Sequence, residues 1–119
     1  MTAWKLLFGL TLAALLTGCS AGQTALSEAV NLLRLPDGGR LPHAVIDGEG
    51  TVHVIYFEGE PRSGDLRYVT RPVGATTWSE PIYVNSQPGT VVGIGPIDGG
   101  HLALGKNNRV HVAWFKLNR

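Results

Sequence analysis

Two stretches of this chain carry nearly the same hydrophobic pattern. Val52-His53-Val54-Ile55-Tyr56-Phe57 returns as Val110-His111-Val112-Ala113-Trp114-Phe115, an offset of 58 positions. Both stretches are apolar on each side of an extended chain. Val52, Val54 and Tyr56 point one way, while His53, Ile55 and Phe57 point the other. The offset continues backwards without a gap, placing His43 on His101, Ala44 on Leu102 and Ile46 on Leu104. All four histidines of the chain occupy these repeat positions, which marks an internal repeat.

The rest of one repeat supplies the elements around that strand. Residues 43–46 are a short apolar run. Asp47-Gly48-Glu49-Gly50 is turn chemistry, because glycine takes positive φ without steric cost. Residues 51–57, rich in β-branched and aromatic side chains, read as the second strand. Polar residues 58–64, with Pro61 and two glycines, predict a loop. A third strand follows over 66–70 and a fourth over 78–84. Pro81 in the fourth suits a sheet edge, since proline cannot donate to a ladder. No stretch of the repeat has helical periodicity. The expected fold class is all-β: a partial β-propeller of about one and a third four-stranded antiparallel blades. One blade covers 43–85, and the next begins over 101–116. A buried parallel strand carries the same two-faced pattern, but parallel pairs need a long crossover that this repeat lacks.

Outside the repeat, residues 27–33 admit two readings. Ser27-Glu28-Ala29-Val30 echoes Ser79-Glu80-Pro81-Ile82, which favours an outer strand. An amphipathic helix over 26–33 competes, since Ala, Leu and Glu are good helix formers. Residues 35–42 form a loop punctuated by Pro36, Gly38, Gly39 and Pro42. Residues 85–100, with five glycines and two prolines, connect the blades. Gly93-Ile94-Gly95 is not a nucleotide loop, because neither the full glycine pattern nor a helix follows it.

Composition narrows the partners. A net charge of +1 and the absence of any Lys/Arg cluster exclude nucleic acid. The single cysteine excludes an internal disulfide framework and a cysteine-based metal site. No cofactor is expected. Length conflicts with a closed propeller, which takes roughly 4–8 blades and hence about 230 residues at this period. The 119 residues are therefore expected to be the N-terminal part of a longer protein or a truncated gene product. The other possibilities are a small β domain, or an oligomer that closes the ring between chains.

The first residues read as an address. Lys5 precedes the apolar run 6–16, which is shorter than the roughly 20 residues that span a bilayer. A signal peptide over 1–18 is expected. Leu16-Thr17-Gly18-Cys19 resembles the lipobox of bacterial lipoproteins. That resemblance implies cleavage before Cys19, lipidation of its thiol and a tether over 19–26. Ser20 stands where the family's inner-membrane retention signal has Asp. The implied location is the bacterial cell envelope, lipid-anchored at the outer membrane or cell surface. The alternative is an ordinary secreted protein with an incidental cysteine.

A second resemblance lies in the repeat. Gly74-Ala75-Thr76-Thr77-Trp78-Ser79-Glu80-Pro81 resembles the Asp-box hairpin of sialidase-type propellers, S-x-D-x-G-x-T-W. Thr77 and Trp78 match, whereas Arg71, Val73 and Ala75 stand at the Ser, Asp and Gly positions. Arg40-Leu41-Pro42 is similar to the R-I-P that opens the first sialidase blade. The family layout fits residues 40–116. What the resemblance implies is an exo-sialidase-like glycosidase, with three arginines clamping the sugar carboxylate, an aspartate acid/base, and a tyrosine nucleophile paired with a glutamate. Sialidases depart from the usual two-carboxylate scheme in this way. Arg40 matches the first clamp, and a guanidinium fork suits a carboxylate. The acid of the family follows the second strand, where this chain offers Glu58, Glu60 and Asp65. The candidate catalytic residues are Arg40, Asp65 and Glu60.

Each candidate also has a structural reading. Arg40 also reads as an ordinary solvated loop residue, since loops sit on the surface. Tyr56, Tyr68 and Tyr83 lie within strands and suit packing. The paired histidines invite a metal, yet repetition at equivalent positions favours structural hydrogen bonds between units. Trp78 and Trp114 can stack on sugars, although Trp78 holds a box position used for packing. Two classes of function follow: a lipid-anchored sialidase-type hydrolase, or a non-catalytic surface propeller that binds glycans or proteins.

Overall fold

A computed structural model describes residues 30–95 and 99–116. The expected signal peptide, Cys19 and the tether lie outside these residues. So does the expected outer strand as far as Ala29, while residues 30–33 have no regular structure. The chain divides into a unit Met1–Asn31 and a unit Leu32–Arg119, and the second holds every described strand.

The described fold is all-β and antiparallel. Strands β1 (Arg40–Ile46), β2 (Val52–Glu60), β3 (Ser63–Arg71) and β4 (Ile82–Tyr83) form one sheet in chain order. Strands β5 (Gly100–Leu104) and β6 (Val110–Trp114) form a second. Among the described residues the only helical turns are short 3₁₀ segments, Pro36–Gly38 and Lys106–Asn108. The β1–β2 turn closes on Asp47. Its Oδ1 accepts the backbone N–H groups of Glu49 and Thr51, each at 2.9 Å, and Gly50 takes a φ of +83°.

Three boundaries differ from expectation. The loop expected over 58–64 is strand, because β2 and β3 pair out to Glu60↔Ser63 around a turn of Pro61 and Arg62. Polar residues can continue a ladder where one face meets water, and their composition alone does not reveal it. The fourth strand shrinks to two residues, paired as Arg67↔Tyr83 and Tyr68↔Ile82. Upstream of it, Ser79 replaces regular pairing with a bond from its N–H to the Thr70 carbonyl and one to its Oγ from the Thr70 N–H. The first strand begins at Arg40 rather than His43, across an irregularity between those residues.

The two-sided pattern of β2 produces two cores. On its first face Val54 and Tyr56 pack with Val69, joined by Leu35, Val52 and Trp78. Trp78 thus packs against this core, and its Nε1 donates to the Arg34 carbonyl at 3.0 Å. On the second face Phe57 and Leu66 pack with Val91, joined by Val84 and Val112. Ile55, Tyr56, Leu66, Val69 and Val91 are wholly buried.

The second sheet covers that second face. A Cβ on Gly100 would come within 2.7 Å of Leu66 and 3.3 Å of Ile55, so glycine permits the approach. Val91 exchanges both backbone hydrogen bonds with Gly64, at 3.0 and 2.9 Å, while the Val92 N–H donates to Phe115. The register of the two hairpins is the same at the 58-residue offset. His43↔Ile55, Ala44↔Val54, Val45↔His53 and Ile46↔Val52 recur as His101↔Ala113, Leu102↔Val112, Ala103↔His111 and Leu104↔Val110. The repeat in the sequence is therefore a repeat of structure.

Candidate functional site

Arg40, Glu60 and Asp65 come to one end of the first sheet, where β1 begins, β2 ends and β3 begins. Arg40 pairs with Phe57, and its guanidinium lies 5.6 Å from that ring. The guanidinium also donates to the Gly59 carbonyl, next in the chain to Glu60. Leu41, beside it, holds a φ of +51°. That left-handed conformation is uncommon for a bulky side chain and persists only where its surroundings enforce it. It makes the irregularity that separates Arg40 from the regular pairing starting at His43, as bulges do when they redirect a side chain.

The acidic candidates divide. Glu60 is exposed at the tip of β2 and makes no side-chain hydrogen bond among the described residues. Asp65, opposite Glu58 in the register, is engaged by its own scaffold. Its Oδ1 accepts from Asn85 Nδ2 at 2.7 Å and from the Gly89 N–H at 2.8 Å. Asn85 in turn accepts the Leu66 N–H at 2.8 Å. Asp65 thereby shapes the inter-unit connection. Glu58 pairs with Arg67 at 2.7 Å, and the Arg67 guanidinium stacks 3.6 Å from the Tyr83 ring centroid. Tyr56 lies near this pair with its hydroxyl buried and without a hydrogen-bond partner among the described residues. Burial, assisted by the charge of Asp37, raises its pKa. Cys19 lies outside the described residues.

A polar chain that sequence reasoning did not assemble runs through the opposite end of the sheet. His53 Nε2 lies 3.1 Å from Asp47 Oδ2, and His53 Nδ1 lies 2.6 Å from the Tyr68 hydroxyl. A carboxylate only accepts, so Nε2 carries the proton and Nδ1 accepts from Tyr68. The hydrogen bond from His53 holds the Asp47 carboxyl below its usual range. Burial, and then the charge of Asp47, raises the Tyr68 pKa. Asn108 of the second hairpin reaches the same Asp47 Oδ2 at 3.4 Å. His43 is used similarly: its Nδ1 accepts the Leu102 N–H at 3.2 Å, and its ring meets that of His101 edge-on at 5.4 Å. His53 and His43 thus serve as hydrogen-bonding posts, the first within its own sheet and the second between the two hairpins. Their recurrence signalled this role, but the Asp47 and Tyr68 partners have no counterpart motif to reveal them.

Among the described residues no group of three or more His, Cys, Asp or Glu side chains is placed to hold a metal ion. None of the described helices is long and apolar enough to cross a membrane. No family model, curated protein or solved structure matches the chain.

Proposed function

We propose that the two stacked units are successive blades of a sialidase-type β-propeller, lipid-anchored through Cys19 at the bacterial envelope, that hydrolyses acidic sugars. The stacking of two hairpins in identical register supports the propeller. The observation that carries the function is the presentation of Arg40. It precedes a leucine at φ +51°, at the sheet end that also holds Glu60. A guanidinium fixed in this way is preorganised to take a carboxylate through two parallel hydrogen bonds. In this reading Arg40 exchanges the Gly59 carbonyl for the sugar acid, and Glu60 is the acidic side chain available for proton transfer. Further blades complete the ring and the site.

A second reading, a propeller that binds glycans without cleaving them, is favoured by the engagement of Asp65 with Asn85 and Gly89. One assay separates the two. The full-length protein should release a fluorescent leaving group from a sialoside. Arg40→Ala should keep the fold but lower kcat/KM by ten- to a hundredfold, the equivalent of about 1.5–3 kcal/mol for a charged hydrogen bond. Arg40→Lys should rescue only part, because an ammonium cannot make the bidentate pair. Activity undiminished by Arg40→Ala removes Arg40 from the site. Retained glycan binding with no hydrolysis supports the second reading.

A further inference from the structure

The chain of Asp47, His53 and Tyr68 has the connectivity of an orienting acid, a base and a nucleophile. The Tyr68 hydroxyl lies 2.6 Å from His53 Nδ1, and His53 Nε2 lies 3.1 Å from Asp47 Oδ2. Two backbone N–H groups hold the other oxygen of Asp47, so the acid is fixed independently of the histidine. The side chains of Asp47 and His53 are 5% and 9% exposed, whereas Tyr68 is half-buried. The chain therefore runs from a buried acid to a phenol at the protein surface.

The repeat shows that this acid is not required by the fold of the hairpin. His111 keeps the position of His53, but Gly105 stands at that of Asp47. A Cβ on Gly105 would come within 2.6 Å of His111 Nε2, so the second hairpin has no room for an acid there. The surroundings of Tyr68 indicate what it can meet. Its cross-strand neighbours are Ile55 and Ile82, and Ile82 is 57% exposed. Side chains directly opposite share a face, so an apolar surface flanks the phenol. The charge that acts on Tyr68 is that of Asp47, which disfavours an anionic partner.

We propose that Tyr68 is a covalent nucleophile that accepts the acyl group of a neutral, apolar ester. His53 is its general base, and Asp47 is the residue that positions the base. The phenolic proton passes to His53 Nδ1 as the Tyr68 oxygen bonds to the ester carbonyl carbon. The C–O bond of the ester then breaks, and the leaving alcohol takes the proton from Nδ1. The products are an acyl-tyrosine and an alcohol, with no change of oxidation state. Burial and then the charge of Asp47 raise the Tyr68 pKa, so the phenol is held protonated and its reaction needs the base. The site lies at the opposite end of the sheet from Arg40, and it does not depend on the glycosidase reading.

Treatment of the full chain with p-nitrophenyl acetate at neutral pH tests the proposal, with acid quenching at intervals and peptide mass spectrometry. Tyr83 is the internal control, because it is 58% exposed and its ring stacks on Arg67 instead of bonding to a base. Tyr68 should gain its acetyl group at least about tenfold faster than Tyr83, although it is the less exposed of the two. His53→Gln should slow Tyr68 about a hundredfold, the usual scale for a lost general base, and leave Tyr83 unchanged. Asp47→Asn should also slow Tyr68. If Asp47 served the turn alone, its loss would leave the Tyr68 rate unchanged or quicken it as the phenol loosened. In His53→Gln the residual rate at Tyr68 should climb with pH toward the ordinary tyrosine pKa of about 10, whereas the parent reacts well below it. Tyr68 acetylated no faster than Tyr83, or not at all at any quench time, overturns the proposal. That comparison is made within the parent and stands even where a variant fails to fold. A folded His53→Gln chain that reacts as fast as the parent overturns it too.

Discussion

Asp47 does more than its place in a turn requires. One carboxylate oxygen closes the β1–β2 turn on two backbone N–H groups, while the other fixes His53 and meets Asn108 of the neighbouring hairpin. The His53 bond lowers the pKa of the folded-state carboxyl relative to an unfolded aspartate near 3.9. A depressed carboxyl stabilises the fold above the unfolded value, and the contribution is lost as pH falls through the folded one. Asp47→Asn keeps an oxygen for the turn but removes the charge. The denaturation midpoint of Asp47→Asn should therefore lie below the parent's at neutral pH, with the gap closing in acid below about pH 4. A gap independent of pH would assign Asp47 a purely geometric role.

At the scale of elements, the β2–β3 hairpin is the backbone of the fold, and a glycine sets how closely it packs. Phe57 lies over Gly64, where a Cβ would sit 2.1 Å from the ring and 2.5 Å from the Glu58 carbonyl. Gly64→Ala should cost at least about 1–3 kcal/mol, the usual range for overpacking a filled core. Gly48→Ala, in the β1–β2 turn, meets nothing within 4 Å and should leave the urea midpoint close to the parent's. Equal effects at the two positions would show that backbone freedom, rather than space, decides. Sequence patterning located this hairpin but ended its first strand early and began its second late. Residues 58–64 are polar, and only the pairing of Gly59 with Gly64 and Glu60 with Ser63 extends the ladder through them.

For the whole molecule the question is where the repeat is held. If Cys19 carries a lipid, the protein made in a bacterium should incorporate labelled palmitate and sediment with membranes. Cys19→Ala should lose both. Labelling and membrane association that survive the substitution would return the segment 1–19 to an ordinary secretory leader. The unequal burial of repeat positions belongs to this scale as well, because no single strand predicts it. It arises from stacking one hairpin on the other, which buries Leu102 and leaves its counterpart Ala44 exposed.

The sequence alone determined the β class, the 58-residue period and the two-sided burial of the 52–57 strand. Each of these follows from side-chain alternation and recurrence, which are properties of the chain itself. It also singled out Arg40, Glu60 and Asp65 and put all four histidines on repeat positions. The tertiary structure decided which of those residues are committed to the scaffold. Asp65 is held by Asn85, 20 positions on, and His53 by Asp47 and Tyr68, while Glu60 remains exposed. Such pairings depend on register and on the approach of a second sheet, so polar composition could not separate a structural carboxylate from an available one. The conformation of Leu41 was likewise out of reach, since leucine does not favour positive φ and only the surrounding fold imposes it.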